Sequence, residues 1–131
     1  MDSLTITPSE QTQPIALTIL HLAGRLDASS EPALREQAER ARANRARRLL
    51  LDLEKLDFIS SAGLRAVQIL YKMFTPAEEI KAWKPGGDVY KTPYFKIYCP
   101  SPQVYGVFNL AGFLHNIPFF TDRAAALASF E

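Results

Sequence analysis

Strands alternating with helices predict an α/β protein. The expected sheet is mostly parallel, with four to five strands and helices packed mainly on one face, in the order β-β-α-β-α-β-α-β-α. Three observations carry this reading. The nearly continuous apolar run Leu49 to Leu53, bounded by charge, has the character of a strand buried on both faces. Two stretches with apolar residues at helical spacing each follow serines able to cap a helix, Ser30 in one case and Ser60-Ser61 in the other. With 131 residues, 47% of them hydrophobic, the chain can bury one sizeable core but not two, so a single domain over residues 1–131 is expected.

Taken in order, Leu4-Thr5-Ile6-Thr7 alternates and predicts a short strand. A polar link from Pro8 to Pro14 leads to the stronger alternation Ile15 to Leu22, and the two strands should pair as a hairpin. The segment Gly24 to Ser30 breaks the pattern. Ser30 before Glu31-Pro32 then offers an N-cap with an acid and a proline in the first helical turn. That helix should bury Ala33, Leu34, Ala38 and Ala41 and leave Arg35, Glu36, Glu39, Arg40 and Arg42 in water, some as helix-spaced ion pairs. Leu49 to Leu53 is the expected central strand. Leu64, Val67, Leu70, Tyr71 and Phe74 recur at helical spacing after Ser60-Ser61, and Pro76 predicts a stop near residue 75.

Residues 76–93 form an extended connection with a turn signal at Pro85-Gly86-Gly87. Tyr94 to Cys99 reads as strand. Ser101 caps a helix containing Val104, Val107, Phe108 and Leu110, which Gly112 can close in the left-handed conformation. Ile117 to Phe120 is a short strand whose proline suggests a sheet edge, and a terminal helix follows through Leu127 and Phe130.

Composition narrows the function. The 15 Lys+Arg against 14 Asp+Glu give a formal net charge of +1, so no global field draws the chain to nucleic acid or to an acidic membrane. The basic cluster Arg40, Arg42, Arg45, Arg47 and Arg48 invites a nucleic-acid reading, but it falls at a helix C-terminus, where cations complement the dipole, and acids dilute it upstream. No apolar run approaches the ~20 residues that cross a bilayer, and no export signal opens the chain, so a cytoplasmic protein without membrane insertion is expected. The single cysteine, Cys99, should be a core residue.

No enzymatic machinery stands out. His21 and His115 show no metal-ligand spacing, Gly86-Gly87 lacks the lysine and hydroxyl of a P-loop, and Ser60-Ser61-Ala62-Gly63 lacks the Gly-x-Ser-x-Gly pattern of a nucleophile elbow. Neither a catalytic centre, a metal nor a cofactor is expected. What remains is the strand-to-helix turn at Ser60-Ser61. The first turn of a helix leaves backbone N–H groups unpaired and carries partial positive charge, which suits a hydroxyl acceptor or a phosphate. On local physics alone, one of these serines could simply cap the helix.

Gly24-Arg25-Leu26-Asp27, the strand Leu49 to Leu53, Phe58-Ile59-Ser60-Ser61-Ala62-Gly63-Leu64-Arg65 and Leu110-Ala111-Gly112-Phe113 resemble, in order and spacing, the STAS domain of bacterial anti-sigma factor antagonists. The resemblance implies a protein-binding switch rather than an enzyme. In that family the hydroxyl residue two places before the glycine is phosphorylated by a partner of the histidine-kinase-like ATPase type that is also the anti-sigma factor, and a serine phosphatase can reverse the mark. Here that position is Ser61. The implied partner surface comprises Asp27, Ser60, Ser61, Ala62, Gly63 and Arg65, with Gly63 allowing close approach to the backbone. Asp27 reads equally as a turn residue before the first helix.

Two departures stand out. Ser60 occupies the place where many relatives carry an acid, and the 76–93 connection, with Trp83, Tyr90 and Tyr94 as aromatic anchors, is longer than usual. The STAS fold also serves as a constitutive subunit of transport or scaffold complexes. In that alternative Ser61 is a cap and docking contact, never phosphorylated.

Overall fold

A computed structural model describes residues 3–82, 91–112 and 116–131. Its elements run β1 (Thr5–Gln11), β2 (Leu17–Leu26), α1 (Glu31–Ala43), β3 (Leu49–Ile59), α2 (Ser61–Phe74), α3 (Ala77–Ala82), β4 (Phe95–Tyr98), α4 (Pro102–Ala111), β5 (Phe119–Phe120) and α5 (Arg123–Ala128). The five strands form one sheet in the order β1-β2-β3-β4-β5. β1 is antiparallel to β2, and every other pairing is parallel. The chain is therefore the mostly parallel α/β protein expected from the alternation of elements.

β3 is central because it is apolar toward both sides. Leu49, Leu51 and Leu53 belong to the main core with Leu34 and Ala38 of α1, Ala66, Val67 and Leu70 of α2, and Val104 and Phe108 of α4. Leu50 joins a smaller cluster on the opposite face with Leu17, Tyr98, Ala126 and Phe130, covered by α5. Helices thus pack mainly on one face, and much of the other face is left to polar side chains of β1, β2 and β3. Among the described residues no helix is long and apolar enough to cross a membrane.

Several boundaries differ from the sequence expectation. β1 continues through Pro8 to Gln11, where a linker was expected, because a sheet edge tolerates a residue that donates no ladder hydrogen bond. β2 likewise runs through Gly24 to Leu26. Gly24 takes φ 108° where the β2–β3 register slips, and a Cβ there would collide with the Ser3 carbonyl oxygen, so the glycine marks a bulge rather than the end of the strand. β3 extends six residues past Leu53 to Ile59, with Leu56 and Ile59 still buried.

The helices bring further corrections. Ala33 is exposed and the buried stripe of α1 is Leu34 and Ala38, with Ala41 packed at its border. The predicted ion pairs form at i,i+4, Glu31 with Arg35 and Glu36 with Arg40, although Ser30 makes no side-chain cap. Its Oγ instead donates to the Arg25 carbonyl at 2.7 Å and accepts from the Asp27 amide at 3.0 Å. Val104 and Phe108 of α4 are buried, but Val107 and Leu110 are exposed. Ser101 and Gly112 cap that helix as expected, the latter at φ 76°. β5 is reduced to Phe119–Phe120 at the sheet edge.

The long connection is anchored at both ends. α3 follows α2 after Pro76, and Tyr94 Oη donates to Glu79 at 2.7 Å. Thr75 Oγ1 donates to Thr92 Oγ1 at 2.8 Å, both residues being buried, so the chain leaves and re-enters the body at one point. An insertion closed in this way adds little entropy cost as it lengthens. Trp83, Pro85-Gly86-Gly87, Tyr90, Phe113 and His115 lie outside the described residues. Cys99 is fully buried, and burial pushes its thiol up to about 11, consistent with a packing role.

Candidate functional site

β3 delivers the chain to the end of the sheet at Ile59, and α2 turns back from there. The two serines divide the work at this turn. Ser60, in extended conformation, is the N-cap, and its Oγ accepts the Gly63 amide at 3.2 Å. Ser61 is the first helical residue. It is exposed, and its hydroxyl makes no hydrogen bond among the described residues. A group added to it would extend into water beside the positive end of a 14-residue helix whose first turn contains no acid.

The turn is clamped onto the neighbouring strand. Ser60 N–H donates to the Leu26 carbonyl at 2.9 Å. Gly63 is buried directly above the same residue: a Cβ built on it would stand 2.6 Å from Leu26 O, 2.8 Å from Ile59 Cγ1 and 2.9 Å from Leu26 Cγ. Its lack of a side chain is thus used internally, to let α2 approach β2. Ala62 is half-buried, whereas Arg65 is exposed one turn beyond Ser61. Ser60→Ala removes the cap while leaving Ser61 untouched. The expected cost is about 1 kcal/mol, read as a lower urea midpoint at unchanged slope.

Asp27 follows β2 on the same end of the sheet, within the turn before α1. Its carboxylate accepts from Ser29 Oγ at 2.7 Å and from the Ser29 amide at 3.0 Å. Those bonds, the Ser29 hydroxyl first among them, hold its carboxyl below the ordinary value despite some opposing desolvation. The turn role read for Asp27 is therefore present, and it occupies Oδ1. Arg25 lies 3.9 Å from Asp27 and stacks at 4.1 Å over Phe58, which is 38% exposed. Arg25 and Phe58 are paired across β2 and β3, so they add a cation and an aromatic face to the end of the sheet that carries Asp27 and Ser61. Sequence reasoning did not single out either one, since their proximity depends on a register that is shifted by two irregularities.

Among the described residues no group of three or more histidine, cysteine, aspartate or glutamate side chains could hold a metal ion. His21 is more than a strand residue. It bonds Ser9 on one side and Asp52 on the other. The sequence concealed this because Ser9 falls in the segment that reads as a linker.

A model of the STAS domain family matches residues 7–78. The putative anti-sigma factor antagonist BtrV of Bordetella bronchiseptica is 36% identical over 86 residues, 65% of this chain. The chain spans only 61% of that relative's length. Among solved structures, an anti-sigma factor antagonist from Mycobacterium paratuberculosis superposes with a TM-score of 0.75 at 21% identity, covering 98% of this chain and 95% of that one. The Bacillus cell fate determinant SpoIIAA, in its phosphorylated form, gives a TM-score of 0.57 at 19% identity, covering 93% of this chain and 98% of its own. At these identities the structural matches speak for the fold.

Proposed function

We propose that this chain, which belongs to the STAS domain family, is an anti-sigma factor antagonist-like switch. It binds a partner anti-sigma factor of the serine-kinase type and is controlled by reversible phosphorylation of Ser61. The observation that carries the proposal is the division of labour between the two serines: Ser60 accepts the Gly63 amide at the helix start, leaving Ser61 exposed with a hydroxyl that makes no hydrogen bond among the described residues. The partner surface in this reading comprises Asp27, Ser60, Ser61, Ala62, Gly63 and Arg65, with Gly63 acting from beneath by setting the height of the helix start. The sequence similarity to a putative anti-sigma factor antagonist supports the partner class.

Phosphorylation adds about 1.5 to 2 negative charges. Within the free protein they face a helix N-terminus, which favours them by about 0.3–1 kcal/mol. Against a docked partner the same charges must be desolvated, and the complex weakens. Because Ser60 stands where many relatives carry an acid, the incoming phosphate meets no neighbouring carboxylate on that side.

The two environments give Ser61→Asp opposite signs in two measurements. Stability should stay equal to wild type or rise slightly, while affinity for the cognate kinase-type partner should fall at least ~10-fold. Incubation with that partner and ATP should label wild type but not Ser61→Ala. Equal labelling of both would remove the site assignment. Undiminished binding by Ser61→Asp would instead favour the constitutive transport or scaffold subunit.

A further inference from the structure

The sheet face opposite α1 and α2 carries a constellation that the phosphorylation switch does not use. Three neighbouring strands contribute one residue each. Ser9 Oγ of β1 lies 2.8 Å from His21 Nε2 of β2, and His21 Nδ1 lies 2.7 Å from Oδ2 of Asp52 on β3. Asp52 is only 4% exposed, and two further donors hold it, the Arg123 guanidinium on Oδ2 at 2.8 Å and the Glu54 amide on Oδ1 at 3.0 Å. A carboxylate only accepts hydrogen bonds, so Asp52 places the proton of neutral His21 on Nδ1. The Nε2 lone pair is thereby directed at the Ser9 hydroxyl.

We propose that Ser9 is an activated nucleophile that accepts acyl groups from small activated esters, with His21 as its general base and Asp52 as the residue that positions His21. Ser9 is exposed on an edge strand, so an ester reaches it without any rearrangement of the sheet. A cavity of about 390 Å³, lined by Thr5, Thr7, Asp52, Lys55 and Arg123 among others, opens beside His21, although Ser9 itself is not among its walls.

In the first step the Ser9 Oγ–acyl bond forms as its proton passes to His21 Nε2. The ester C–O bond then breaks, and that proton leaves with the departing alcohol. Water attacks the acyl-serine in the second step, giving a proton to Nε2. Release of the carboxylic acid then returns a proton to Ser9 Oγ.

A fluorophosphonate probe tests the first half, since serine attack displaces fluoride and leaves a stable adduct that peptide mass mapping can place. Folded wild-type protein should label on Ser9 far ahead of the exposed hydroxyls Ser29 and Ser61, and Ser9→Ala should lose that adduct. His21→Gln should slow labelling of Ser9 by at least ~100-fold. Asp52→Asn should slow it while the fold persists by circular dichroism. p-Nitrophenyl acetate should release p-nitrophenolate with the same dependence on Ser9 and His21. Labelling spread evenly over exposed serines, or a Ser9 rate indifferent to His21→Gln, would overturn the proposal and leave a hydrogen-bond chain that only ties β1 to the sheet.

Discussion

Gly63→Ala should destabilise the protein by about 2–4 kcal/mol, toward and beyond the upper end of the usual overpacking cost. The added methyl would stand 2.6 Å from Leu26 O, a backbone atom that no side-chain rotation can move aside. The same carbonyl accepts the Ser60 amide, so relief by lifting the helix start breaks that bond as well. Two consequences follow from one atom. Urea denaturation should show a lower midpoint at unchanged slope. For the proposed switch, partner binding should also fall in the fraction that remains folded, because Ser61 is carried outward with its helix. A Gly63→Ala protein of wild-type stability would contradict the packing described for this turn.

Phe108→Ala should cost about 3–5 kcal/mol, the range for deleting a buried phenyl ring. Phe108 is fully buried in the main core and meets Phe119 edge-on, with centroids 4.8 Å apart. Tyr105 holds Phe119 from another side at 5.8 Å. Truncation leaves a void between α4 and the two-residue β5 at the edge of the sheet. Equilibrium denaturation reads the loss. At temperatures where the protein is still folded, the labelling of Ser61 expected of the proposed switch should survive, since among the described residues no hydrogen bond joins α4 to Ser60, Ser61 or Gly63. The contrast with Gly63→Ala separates a general loss of stability from a change at the site.

Much of this architecture was legible in the sequence. Leu49 to Leu53 announces a strand buried on both faces, and the stripe from Leu64 to Phe74 announces the helix that packs on it. Ser60, Ser101 and Gly112 mark helix ends through chemistry confined to a few residues, and each does so in the structure. Features that depend on an edge or on a slipped register were less visible. Pro8 and Gly24 look like interruptions along the chain, yet β1 accommodates the first at its open edge and β2 absorbs the second in a bulge. Leu110 fits an apolar helical pattern but is 91% exposed, because the pattern shows which residues share a helix and not which face the sheet covers.

The sequence by itself determined the parallel α/β class, the position of a hydroxyl at the start of α2 and the element order apart from α3, which lies in the stretch that reads as an extended connection, because those follow from short-range periodicity and capping. Only the tertiary structure decided what each residue at that turn does. Ser60 and Ser61 are chemically alike and adjacent, and their roles separate only when the backbone leaves β3 and places one hydroxyl over the Gly63 amide and the other in water. Gly63 becomes indispensable only once Leu26, 37 residues earlier, is brought beneath it. The link from Ser9 through His21 to Asp52 likewise exists because sheet pairing aligns three strands that are distant along the chain. Local sequence sets dihedral preferences and caps, whereas contacts between distant segments depend on register, and register is settled by the packing of the whole sheet.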